Sequence, residues 1–169
     1  MTTPNYLATG GVISGDYRYE LTRDWADGPE CTFVMLNPST TDAHADDPTI
    51  RRCVGFATSL GCGSLRVVNL YAIRATDPKI ALSHPGRVGP ENDYWLQCAA
   101  LDSREDDAPI IAGWGVNAEP WRVDQVLTLP GMERLTCLGV TKDGHPRHPL
   151  YVRGSERPVP WRPAAVFHG

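Results

Sequence analysis

No run in this chain is long and apolar enough to span a bilayer, and its first residues lack the basic-then-apolar order of a secretion signal. The expectation is a cytoplasmic protein with no membrane partner. Its five cysteines are odd in number, scattered and never at C-x-x-C spacing. That pattern argues against a disulfide framework or a zinc site and fits a reduced compartment. Positive charge is not in excess either: 16 Lys and Arg stand against 20 Asp and Glu, a formal net charge of -4. Bulk electrostatic attachment to nucleic acid is therefore disfavoured, while a locally basic groove stays open. The chain has no G-x-x-x-x-G-K-[ST] phosphate loop, no G-x-G-x-x-G after a strand and no H-E-x-x-H. A G-x-S-x-G elbow is also missing, so Ser39 reads as a binding or capping hydroxyl rather than a nucleophile. Asp42, His44, Asp46 and Asp47 are too loosely spaced to argue for a divalent ion. No cofactor and no metal are expected.

What is present is the make-up of one globular domain, with 169 residues, 41% of them apolar. In the stretch from Cys31 to Thr40, Phe33 to Leu36 are apolar, β-prone and too few for a helix, so they read as a buried strand. Pro38, which has no N–H for a ladder, ends it in the polar turn Asn37-Pro-Ser-Thr-Thr-Asp42. Tyr17 to Arg23 alternates like a half-buried strand near a sheet edge. Asp46-Asp-Pro-Thr49 is a helix start for residues 50–60, with Ile50, Val54, Ala57 and Leu60 as its inner stripe. Arg51 and Arg52 fall in its first turn, where the helix dipole disfavours cations, which hints that an anion or carboxylate holds one of them. Further strands are expected over 65–73, 108–115 and 135–140, with helices over 92–101 and 119–127 and an acidic link over 102–107.

Strand, helix and strand in short order imply right-handed parallel crossovers. The expected fold is therefore a three-layer α/β/α sandwich with a four-stranded, mainly parallel sheet plus an edge strand. Residues 1–15 read as an irregular lead-in and 152–169 as a Pro- and Arg-rich wrapping tail. Parallel strands bring their carboxyl ends to one rim, and ligands bind there. Four polar clusters share that rim: Asn37 to Asp42, Asn69 to Asp77 with Arg74, Gly113-Trp114-Gly115, and Thr141 to Tyr151. The last displays Lys142, His145, Arg147, His148 and Tyr151 on a loop stiffened by prolines, donors that suit a phosphate, a base edge or a developing anion. His145 reads as solvated, and His148 as functional.

The segments Met35-Leu-Asn-Pro-Ser39, Asp47-Pro-Thr-Ile-Arg-Arg-Cys53, Val67-Val-Asn-Leu-Tyr71, Arg74-Ala-Thr-Asp-Pro78, Gly89-Pro-Glu-Asn-Asp93 and Pro146-Arg-His-Pro-Leu-Tyr151 resemble the domain-of-unknown-function 1643 family of bacteria and phages, over residues 16–161. The order of strand ends is more distantly similar to the uracil-DNA glycosylase superfamily. In that comparison Leu36-Asn-Pro-Ser39 matches the first motif and His148-Pro-Leu150 the second. Leu36 stands where the first motif usually has glycine, Asn37 replaces an acid, and no leucine-rich wedge follows the second motif.

The resemblance implies that Asn37 positions water and that His148 contacts a base carbonyl as charge develops on it. It also implies that Asn69 reads the base edge and that Trp114 or Tyr71 stacks on the base. Ser39, Thr40, Asp42, Arg74 and Tyr151 would line the substrate site, while Arg51, Arg52, Lys142, Arg147 and Arg153 would grip phosphates. The expected function is hydrolysis of an N-glycosidic bond to an unusual or modified base, in DNA or a nucleotide, with no protein partner required. A module that recognises such a base without cutting it, and a nucleotide-modifying enzyme, are the alternatives.

Overall fold

The computed structural model describes residues 3–163. Strands β1 (Ala8–Ser14) and β2 (Tyr17–Asp24) lead to β3 (Glu30–Met35), helix α1 (Pro48–Ser59) and β4 (Ser64–Asn69). Next come α2 (Pro78–Ser83), α3 (Asn92–Glu105), β5 (Ile110–Ala112), α4 (Pro120–Leu127), β6 (Thr136–Cys137) and β7 (Val159–Pro160). Short 3-10 turns lie at Met132–Arg134 and Pro149–Tyr151. One mixed, seven-stranded sheet has the order β1-β2-β4-β3-β5-β6-β7. Strands β4, β3, β5 and β6 pair in parallel, whereas β1, β2 and β7 join antiparallel.

Strand β3 lies at the centre because Cys31 and Phe33 to Met35 are apolar, while Glu30 at its start pairs with Arg66 at 2.8 Å. Its period of two sends Cys31, Phe33 and Met35 to one face, where Ile50, Cys53, Val54 and Ala57 of α1 cover them. Val34 faces the other way, into a cluster with Leu96, Ala99 and Ala100 of α3 and Val126 of α4. Helices thus cover both faces. Helix α1 starts where Asp47 accepts a hydrogen bond from the Ile50 N–H at 2.8 Å, with Pro48 just inside.

Four expectations change. Residues 8–14, within the expected irregular lead-in, form β1, a hairpin partner that buries β2 on both sides. Backbone pairing with β2 wins there over weak strand propensity in a Gly-rich segment. The expected acidic link is the last turn of α3 up to Glu105, since Ser103 faces the core and its hydroxyl donates to the Ala108 carbonyl at 2.7 Å. Helix α2 sits in the loop after β4, started by Asp77, which accepts from the Lys79 N–H. The tail does not merely wrap: β7 pairs with β6, and Trp161 is buried against Trp114 in an edge-to-face pair with centroids 5.1 Å apart. Residues 164–169 of the expected tail lie outside the described residues. No helix among the described residues is long and apolar enough to cross a membrane.

Candidate functional site

Beyond the carboxyl ends of β3, β4, β5 and β6 lies a cavity of about 550 Å³, within the range of small-molecule sites. Asn37 enters it directly after β3. Its Nδ2 donates to the Pro38 carbonyl at 3.0 Å and the Ala75 carbonyl at 2.9 Å. Both partners are acceptors, so the amide has one sensible orientation and Oδ1 is left as the atom for the cavity. The fold thereby presents a fixed acceptor that cannot act as a base.

His148 comes from the loop after β6 and caps the 3-10 turn that follows it. Its Nδ1 accepts from the Leu150 N–H at 3.2 Å, which assigns the proton of the neutral ring to Nε2. Burial pushes the imidazole pKa down, and the charge of Asp47 opposes that shift only in part. A neutral ring with an Nε2–H donor is the favoured state. Asn69, the last residue of β4, is 4% exposed and lines the same cavity. Its carboxamide makes no hydrogen bond among the described residues, so donor and acceptor both remain for a ligand.

Ser39 donates to Asp47 at 3.0 Å, and the other Asp47 oxygen holds the start of α1. One carboxylate thus fixes the Asn37 loop to the helix. Gly113 allows the loop after β5 to pass close by: a Cβ there would meet Met35 Sδ at 2.9 Å and Pro149 Cδ at 3.1 Å. That contact locks together the loops carrying Asn37, Trp114 and His148. Trp114 forms a wall, held by Trp161 behind it. Arg147 and Tyr151 stand at the exposed mouth, with Tyr151 tilted across His148 at 5.9 Å between centroids.

The cavity therefore gathers Asn37, Ser39, Asn69, Trp114, Arg147, His148 and Tyr151, and leaves out the other expected residues. Tyr71 is fully buried with its hydroxyl accepting from the Glu119 N–H at 3.0 Å, so it does not stack on a ligand. Burial raises its pKa to about 12. Arg52 is not a phosphate grip. Its guanidinium lies over Phe56 and donates to the Pro149 and Val152 carbonyls, bracing the loop beyond His148. Arg51 donates to the Asp46 carbonyl, so main-chain oxygens rather than a carboxylate side chain or an anion hold both arginines. Arg74 reaches the Gly15 carbonyl at 2.7 Å, Thr40 pairs with the Thr76 hydroxyl at 2.9 Å, and Asp42 accepts from the His44 N–H at 2.8 Å. Lys142 sits on the exposed turn before His145, and Arg153 is exposed beyond the cavity lining.

The acidic segment before α1 is committed internally as well. Asp46 takes Arg23 at 2.9 Å and the Tyr6 hydroxyl, while His44 pairs with the Thr9 hydroxyl at 2.6 Å. Among the described residues no group of three or more His, Cys, Asp or Glu comes together to hold a metal ion.

The residue that sequence reasoning missed is Arg18. It lines the cavity from β2 and is 4% exposed. The alternation of Tyr17 to Arg23 located the strand, but an edge strand would have left Arg18 in solvent. The hairpin with β1 places β2 inside the sheet, and the segment at Thr41 closes over the guanidinium.

These features define an α/β domain with a cavity at the carboxyl rim of its central parallel strands. The chain belongs to the family described as protein of unknown function DUF1643, whose model matches residues 18–150. That span holds every cavity-lining residue except Tyr151. Comparison with curated proteins gave no match.

Proposed function

We propose that the protein is a glycosylase-like hydrolase that cuts the N-glycosidic bond to an unusual or modified base, in DNA or in a nucleotide. The observation that carries this reading is the pairing of a fixed acceptor, Asn37 Oδ1, with a neutral donor, His148 Nε2–H, in one cavity. Support also comes from topology. The segments that resemble the two glycosylase motifs follow β3 and β6, two of the four parallel strands, as a uracil-DNA glycosylase-like sandwich requires.

In the reaction the C1′–N bond breaks with its electron pair going to the base, and negative charge gathers on a base carbonyl. His148 donates Nε2–H to that oxygen, and Asn69 pairs with the base edge. A water that donates to Asn37 Oδ1 adds to the oxocarbenium-like C1′. Its proton passes to the departing base or to solvent. A cationic sugar centre is electrophilic enough that orientation matters more than strong base catalysis. A base must leave a helical stack to reach such a pocket, whose wall is Trp114.

A non-catalytic recognition module is the second reading. Asp47 is the one carboxylate lining the cavity among the described residues, and both its oxygens already accept hydrogen bonds. No free carboxylate accompanies Asn37 among the described residues. Mass spectrometry of bases released from DNA and mononucleotides carrying uracil, hypoxanthine or hypermodified bases decides between the two. Release by wild type that is lost in Asn37→Ala supports hydrolysis. Binding without release from any substrate supports the module.

A further inference from the structure

Three arginines are buried among the described residues: Arg18, Arg23 and Arg122. Arg23 has Asp46 at 2.9 Å. Arg122 has Asp93 at 2.7 Å, an ion pair by distance whose N–H is not aligned as a hydrogen bond, and its Nε donates to the Leu70 carbonyl at 2.8 Å. Arg18 differs from both. Its one hydrogen bond among the described residues runs from NH1 to the Thr41 carbonyl at 2.8 Å, and no carboxylate lies within ion-pair distance of it.

A guanidinium withdrawn from water without a counter-charge is costly, so a fold that keeps one at a cavity wall is built around an anion that arrives from outside. Asp47 and, more weakly, Asp42 are close enough for their charge to be felt at Arg18, yet neither is within ion-pair distance: the Asp47 oxygens are bound to Ser39 and the Ile50 N–H, and Asp42 accepts from the His44 N–H. The start of α1 faces the same space, with Thr49 and Ile50 lining it, and the Thr49 N–H finds no acceptor among the described residues. The positive end of this 12-residue helix favours the same sign of ligand.

Depth selects the kind of anion. Phosphates within a polymer run along a protein surface and suit exposed cations such as Arg147. A residue 4% exposed inside a pocket is reached by a terminal group. We infer that Arg18 holds the terminal phosphate of a nucleoside monophosphate, so that the substrate of the proposed site is a free nucleotide and not a base within a DNA strand. The inference rests on the reading of the cavity given under Proposed function and narrows it. Fork geometry suits Arg18 to the task, because two of its N–H groups can meet two phosphate oxygens at once.

The test compares binding, by calorimetry, of deoxyuridine and deoxyinosine with their 5′-monophosphates and with oligonucleotides carrying the same bases. Inorganic phosphate serves as a probe that does not depend on the identity of the base. Wild type is expected to bind monophosphate about 10- to 100-fold more tightly than nucleoside, the range of one charge-assisted contact. Inorganic phosphate should compete for the site. Arg18→Gln should abolish both effects, and Arg18→Lys should keep part of each. Competition by phosphate in wild type needs no variant to fold, and circular dichroism checks that Arg18→Gln does. Equal binding of nucleoside and monophosphate, phosphate binding unchanged in Arg18→Gln, or preference for the oligonucleotide would overturn the inference. Base release dependent on Asn37 would then leave hydrolysis standing. Phosphate-dependent binding with no base released would do the reverse.

Discussion

Asn37 and His148 share one design: one polar end is anchored in the fold and the other is turned to the cavity. For Asn37 the anchor is a pair of carbonyl oxygens, which an amide NH2 satisfies and a carboxylate repels. Asn37→Asp should therefore destabilise the protein more than Asn37→Ala does. The expected difference is about 1–3 kcal/mol in denaturant unfolding, because two buried acceptors would face an anion. Equal stability of the two variants would mean that the amide orientation is wrong. For His148 the anchor is the Leu150 N–H, which needs an unprotonated Nδ1. Its folded-state pKa is lowered from the ordinary value near 6.5. The unfolded chain therefore binds a proton first as pH falls, and stability contributed at this site is complete above about pH 6.5 and declines below it. Comparing unfolding of wild type and His148→Gln from pH 7.5 to 5 should show wild type losing its advantage toward acid, and NMR titration should place the ring below the ordinary histidine range. Both residues were legible in the sequence, since each follows a strand end next to proline. Arg18 was not, because its burial depends on a strand that begins ten residues earlier.

Helix α1 is the element on which the site turns. Asp47 joins three things at once: the helix start, the Ser39 loop and, by charge, His148. Replacing it with Ala removes the N-cap and should cost about 1–2 kcal/mol, read as a lower thermal midpoint, whereas Asp47→Asn keeps an acceptor for the Ile50 N–H and should cost less. The same helix corrects the expectation for its arginines. Their placement against the dipole was visible in sequence, but their partners were main-chain carbonyls, near for Arg51 at Asp46 and far for Arg52, which reaches across 100 positions to Val152. Local patterns reveal a conflict of this kind without naming its resolution, which depends on tertiary contacts. The reverse held for β1, where a Gly-rich segment carries little strand signal of its own and takes its structure from its neighbour.

At the scale of the molecule, four parallel strands deliver loops from distant parts of the chain to one rim, and the C-terminal segment closes the wall behind them. Trp161 is buried against Trp114, donates its main-chain N–H to the Leu135 carbonyl at 3.1 Å and its indole N–H to the Gly144 carbonyl at 3.1 Å. Trp161→Ala should cost about 3–5 kcal/mol of stability and weaken ligand binding through loss of the Trp114 wall. A calorimetric scan together with a binding isotherm would check both. Convergence at the rim was expected from strand order alone, since parallel topology dictates it. Which clusters line the cavity was not, because the side chains at one strand end point both into the pocket and away from it. The central claim is that water enters the sugar as the base departs. The direct measurement is mass spectrometry of both products in water enriched in oxygen-18, for wild type and Asn37→Ala. Hydrolysis predicts a free base without label and a sugar with one labelled oxygen, both abolished or reduced at least about 100-fold in the variant. A labelled base, an unlabelled sugar, or release that Asn37→Ala leaves unchanged would contradict it.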